Sequence, residues 1–139
     1  PNDNFDLKSS HVLPTMIRKF HEAKLNGNTP VELWGTGSPM REFLHVDDLG
    51  RAVLFALENK LDEHLYNVGT GVDLRIKDLA ELIQSIVGHE GDIAWDTSKP
   101  DGTPKKLMDS SRIIEQGWSP KIVLNEGIKS VYTDFCYSC

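Results

Sequence analysis

Residues 74–88, LRIKDLAELIQSIVG, put Ile76, Leu79, Leu82, Ile83 and Ile86 on one face of a helix. A stripe that wide must be buried against other elements, and Gly88 follows it as a stop signal. The neighbouring stretches supply those elements. Val12, Leu13, Met16, Ile17 and Phe20 predict a helix from Ser10 to the NGN at residues 26–28, with Ser9 or Ser10 as its N-cap. VELW and REFLHV are strand candidates joined across GTGSPM, a connection that suggests a hairpin. Asp47 is the expected N-cap of DLGRAVLFALEN, with Leu49, Val53, Ala56 and Leu57 as its stripe. HLYNVGTG reads as a buried strand ending in a turn, and DIAWDT as another strand. DSSRIIEQGW reads as a short helix stopped by Gly117, and NEGIKSVYTDFCY as a closing amphipathic helix. Alternating strands and helices make this an α/β chain of few short strands with packed helices, parts of the sheet being parallel.

A length of 139 residues fits one domain, spanning 1–139. With 39% hydrophobic and 26% charged residues the chain reads as globular. A net charge of −6 argues against nucleic acid or an anionic membrane as the main partner, while leaving room for a local basic cluster that binds a small anion. No run approaches the roughly 18 apolar residues of a membrane span. Cys136 and Cys139 form no disulfide framework, which suggests a reducing, cytoplasmic setting; a metal or redox role for this C-x-x-C lacks a second ligand pair. A start on Pro1 suggests that the chain continues upstream.

Four features bear on chemistry. The GTG turns at 35–37 and 69–71 invite a phosphate-loop reading, but neither carries G-x-G-x-x-G, and tight turns explain them. Trp34 and Arg41 flank the first turn: a flat face for a base or sugar beside a forked donor for phosphate, or else an Arg stacked on a half-buried Trp. His11, at a helix entrance, is either a proton donor or an ordinary surface His. In SKPDGTPKK, Asp101 sits between Pro100 and Gly102, set to accept sugar hydroxyls, with Lys105 and Lys106 in reach of phosphate; a solvated connection is the alternative. His21, His45, His64 and His89 have no metal-ligand spacing and read as structural. No self-contained catalytic constellation is present.

DNF…SSHVLPTMIRKFHEA, VELWGTGSPMREFLHVDDL, YNVGTGVD and DTSKPDGTPKKLMDSSRIIEQGW together resemble the GDP-L-fucose synthases. These are GDP-4-keto-6-deoxy-mannose epimerase-reductases of the extended short-chain dehydrogenases. The resemblance covers only that family's C-terminal substrate-binding domain; the N-terminal Rossmann domain, its dinucleotide fingerprint and its Tyr-x-x-x-Lys pair have no counterpart here. It implies an α/β substrate domain and, in the full-length enzyme, a GDP-sugar substrate, NADPH held mainly by the Rossmann domain, no metal, and a homodimer. By position, His11 resembles the family's catalytic acid beside the nicotinamide. Lys19, Trp34, Arg41, Asp101 and Lys106 resemble its substrate contacts, Lys19 standing where the family usually has Arg. The implied reaction is epimerisation at C3 and C5 and reduction at C4. A sister epimerase or dehydratase using another nucleotide, or a free-standing domain binding nucleotide sugars or proteins, are the alternatives.

Overall fold

The computed structural model describes residues 3–62 and 64–138. In chain order they form α1 (Val12–Leu25), β1 (Val31–Trp34), β2 (Met40–Glu42), α2 (Val46–Glu58) and β3 (Asp73–Arg75). These are followed by α3 (Ile76–Val87), β4 (Ile93–Asp96), β5 (Lys105–Lys106), α4 (Ser111–Glu115) and α5 (Leu124–Ser138). The few short strands and packed helices expected of an α/β chain are present.

The stripe on α3 is the centre of the core. Leu79, Ala80, Ile83 and Val87 meet Met16, Ile17 and Phe20 of α1, Val31 and Leu33 of β1, and Ile128 and Phe135 of α5. Burying each large apolar side chain contributes roughly 1.5–3 kcal/mol, so this cluster dominates the stability of the fold. Gly88 ends α3 in the left-handed conformation that only glycine adopts cheaply, and its N–H returns to the Gln84 carbonyl. At the end of α1, Gly27 and Asn28 both take positive φ, as the NGN signal predicts. His89 is structural: its Nε2 lies 2.9 Å from the Thr29 carbonyl, to which it donates, and Nδ1 faces the Gln84 amide at 3.2 Å.

β1 alternates inward Val31 and Leu33 with outward Glu32 and Trp34. It pairs in parallel with β4, from Val31 opposite Ile93 to Trp34 opposite Asp96. The second sheet is separate, with β2 between antiparallel β3 and parallel β5. The expected hairpin is therefore absent. Gly35 extends the first ladder by donating to the Asp96 carbonyl at 2.9 Å. Positive φ at Gly35 and Gly37 then redirects the chain, so β2 leaves for the other sheet.

Further expectations change. Residues 64–71 are not a strand: the Gly71 N–H goes to the Glu42 carboxylate at 2.7 Å and the Asn67 amide to the Asp109 carbonyl at 3.1 Å. The strand comes later, at Asp73–Arg75. REFLHV contributes only Arg41 and Glu42 to β2, because its partner β3 offers three residues. The N-cap of α1 is His11 rather than Ser9 or Ser10, and the Ser10 hydroxyl instead bonds Thr15 Oγ1 at 2.6 Å. The N-cap of α2 is His45, whose Nδ1 accepts from the Asp47 N–H at 3.2 Å, so Asp47 lies inside the first turn.

Asp48, fully buried, is the anchor of α2. It accepts the N–H groups of Lys121 and Ile122, each at 2.9 Å, and the Arg51 guanidinium. Burial alone would raise its carboxyl, but the two backbone donors and Arg51 outweigh that and hold it below the usual carboxylate value. Beneath α2 a second apolar cluster forms from Ala52, Ile113 and Trp118. Cys136 is exposed, whereas Cys139 lies outside the described residues, so the C-x-x-C pair is not described as a unit.

Candidate functional site

Trp34 ends β1 on its outward face and is 67% exposed. Lys99 stands over its ring, Nζ 5.6 Å from the centroid. Directly after Trp34 the turn receives Asp101 from the SKPDGTPKK loop. One carboxylate oxygen accepts the Thr36 N–H at 2.8 Å and the other the Thr36 hydroxyl at 2.6 Å. The Thr36 hydroxyl and then its N–H hold the Asp101 carboxyl below the usual value. Asp101 thus pins its loop to the turn beside Trp34, and as an exposed carboxylate it retains lone pairs for a further donor.

Pinning the loop places β5 against β2, with Met40 N–H donating to the Pro104 carbonyl at 2.8 Å. In that parallel register Arg41 stands opposite Lys106, so both side chains leave the same face of the sheet. Arg41 is partly buried: Nη1 donates to the Met40 carbonyl at 2.6 Å. A Cβ on Gly102 would come within 3.0 Å of Arg41 Nη2, so the loop backbone packs directly on the guanidinium. Lys105, one residue away, pairs with Asp73 at 3.2 Å. Among the described residues no ion pair engages Arg41, Lys106 or Lys99. Lys19, from α1, donates to the Glu32 carbonyl at 2.8 Å, two residues before Trp34. Asp101 is thus tied to the turn after Trp34 and, through Gly102, to Arg41, which stands opposite Lys106, while Lys19 reaches β1 at Glu32.

His11 lies elsewhere. Its side chain makes no capping bond and is exposed on the rim of an apolar groove of about 470 Å³. Leu44, Val46, Val123, Leu124 and Val131 line that groove. Leu44 follows Arg41 by three residues, so one short segment runs from the basic cluster to the groove, on the order of 10 Å.

The two GTG turns are tight turns already supplied with anions from within. A Cβ at Gly35 would strike the Asp101 carboxylate, and one at Gly69 the Glu42 carboxylate at 2.5 Å. Their donors are engaged by these groups, which leaves no cradle for a dinucleotide. Among the described residues no cluster of His, Cys, Asp and Glu suits a metal, and no helix is long and apolar enough to cross a membrane. The sequence reading missed Thr36 and Glu42 as the anchors of the site. No local signal marks them, because their partners lie far along the chain.

Residues 1–69 match the NAD dependent epimerase/dehydratase family. The chain is 55% identical over 132 residues to probable GDP-L-fucose synthase 1 of Oryza sativa subsp. japonica, covering 95% of this chain and 40% of that one. A GDP-L-fucose synthetase from Naegleria fowleri, solved bound to NADP, superposes with a TM-score of 0.91 at 28% identity, over 99% of this chain and 42% of that chain. A GDP-6-OMe-4-keto-L-xylo-heptose reductase from C. jejuni does so with a TM-score of 0.90 at 35% identity, over 99% and 51%. The chain spans about two-fifths of the length of the curated relatives it matches, and corresponds to their C-terminal part.

Proposed function

We propose that this chain, a member of the NAD dependent epimerase/dehydratase family, is the substrate-binding part of a GDP-L-fucose synthase. The observation that carries the reading is the pairing of Arg41 with Lys106 in one register, tied through Gly102 and Asp101 to Thr36, two residues after the exposed Trp34. In a chain of net charge −6, these cations make a local site for a diphosphate, and the ring offers a surface for a base or sugar. The curated relatives and the C. jejuni reductase carry printed names with a GDP-linked sugar, fucose, colitose or a heptose, which favours GDP as the anchored group.

Arg41 and Lys106 then neutralise the diphosphate, with Lys19 and Lys99 at its border. Asp101 holds the loop that shapes the pocket and directs its remaining lone pairs at a hydroxyl. Fixing the nucleotide positions the sugar, so binding energy remote from the reacting carbons orients them. Hydrogens at C3 and C5, next to a keto group, are acidic enough to be removed and returned. His11 is the group we assign to proton transfer there, being exposed and free of any capping bond. The described residues do not fit a dinucleotide, since both turns are filled by carboxylates. NADPH, the reductant at C4, therefore belongs with a Rossmann portion outside this chain, and the whole enzyme works as a cytoplasmic homodimer.

Titrating GDP into the chain and its Arg41→Ala variant tests the reading. Removing the guanidinium is expected to weaken binding by about 2–4 kcal/mol. Equal affinities would take Arg41 out of the site. In the full-length enzyme, His11→Ala is expected to abolish uptake of solvent deuterium at the epimerised carbons, and undiminished uptake would remove His11 from the chemistry.

A further inference from the structure

A second cavity, of about 300 Å³, lies between α2 and the segment that follows α4, and shares no residue with the His11 groove or the basic cluster. Leu54 and Phe55 line it from α2, Trp118 and Lys121 from the other side. Two of its lining residues carry buried donors with no partner among the described residues, Trp118 Nε1 and Arg51 Nε. Trp118 is only 4% exposed, so its indole N–H has given up water without gaining an acceptor. A buried donor left in that state costs its full desolvation penalty, which is why nearly all such groups are paired. The ring cannot easily turn away, because the Trp118 backbone N–H is held on the Ile113 carbonyl at 3.2 Å. Asp48, the anchor of α2, also fixes the two sides of the cavity. It accepts the Arg51 guanidinium from one and the Lys121 N–H, at 2.9 Å, from the other. That bond uses only the backbone of Lys121, whose exposed ammonium enters no ion pair among the described residues.

We infer that this cavity is a binding site for a small carboxylate with an apolar body. An indole N–H and a guanidinium N–H can only donate, so their partner must bring acceptor oxygens. The Arg51 charge is already balanced by Asp48; Lys121 therefore supplies the attraction, and the two unpaired N–H groups supply the direction. Leu54, Phe55 and the Trp118 ring offer apolar wall to the rest of the ligand, which favours a hydrocarbon body over inorganic phosphate. Glu58 is the one carboxylate among the lining residues. It is exposed and seven positions after Arg51, about 10 Å along α2, where water and salt screen it. The site does not rest on the reading of the chain as a binder of GDP-linked sugars.

Titrating butyrate into the chain, followed by the assigned indole N–H signals of Trp34, Trp95 and Trp118 in NMR, tests the assignment. The Trp118 signal is expected to move saturably, with a dissociation constant below about 1 mM, while the other two stay in place. A Trp118 signal that does not move by about 10 mM butyrate would overturn the site. Two variants touch the cavity without removing a bond that holds the fold. Lys121→Ala is expected to weaken butyrate about threefold, and Glu58→Gln to tighten it by a similar factor. Weaker binding in Glu58→Gln would show that the cavity prefers a cation, and would overturn the proposal. So would an equal response of Trp118 to butylammonium or to inorganic phosphate, which share only the body or only the charge of butyrate. GDP is expected to leave the butyrate response unchanged. Competition between them would place the anion in the basic cluster and overturn the separate site, whereas a chain that takes butyrate but not GDP would remove the proposed function and leave the cavity standing.

Discussion

Arg41 carries the functional argument because its guanidinium is held without being neutralised. The Met40 carbonyl and the Gly102 backbone orient it, and no carboxylate pairs with it among the described residues. Asp101 is what brings Gly102 there, so the state of one carboxyl controls the shape of the site. The Thr36 hydroxyl and then its N–H hold that carboxyl below the usual carboxylate value. A depressed carboxyl contributes stability above its unfolded value and loses it as pH falls through the folded one. The loop should therefore stay clamped at neutral pH and release only in acid, below the pH at which an ordinary carboxyl protonates. The Thr36 amide shift, followed by NMR against pH, is expected to move in that acid range; a transition centred above pH 5 would contradict the clamp. Trp34 and Arg41 were legible as binding candidates from residue type alone. The route that joins them was not: a hairpin was expected, whereas the link is Asp101, 65 positions from Thr36. Contacts at that separation leave no trace in local patterning.

Among elements, α1, α3 and α5 were legible because each carries several turns of apolar period, and Gly27, Gly88 and Gly117 mark their ends or that of α4 with positive φ. The second sheet was not, since β2 and β3 have three residues each and β5 two, too few for alternation to show. Register in such short strands is set by what clamps them, here Glu42 and Asp101. The stripe read on α2 was real as a pattern, but the structure turns Leu49, Val53 and Leu57 outward and buries Asp48. Periodicity reports that a face is apolar, not which body covers it. Asp48, with Ala52 and Phe55 on the second apolar cluster, fixes α2 to this chain. Replacing Asp48 with Ala strands two backbone donors and Arg51, and is expected to cost about 3 kcal/mol in urea unfolding at neutral pH. A loss under about 0.5 kcal/mol, the level of an ordinary surface change, would contradict that anchoring role.

At the scale of the whole molecule, two surfaces divide the work. One is a basic cluster with an open Trp, argued to grip a nucleotide diphosphate. The other is the apolar groove under His11, the residue assigned to proton transfer. Between them runs the segment from Arg41 to Val46, so a ligand anchored at one surface has its far end carried toward the other. Neither surface is a complete catalytic site, which agrees with a chain matching about two-fifths of its relatives' length. The central claim is that the chain grips GDP-linked sugars. The direct measurement is parallel titration of a GDP-sugar and the corresponding UDP-sugar, read by the fluorescence of exposed Trp34 with Trp34→Phe as the control for signal. Tighter binding of the GDP-sugar by at least about tenfold, or 1.4 kcal/mol, is the predicted result. Equal binding, or a preference for the UDP-sugar, would contradict it.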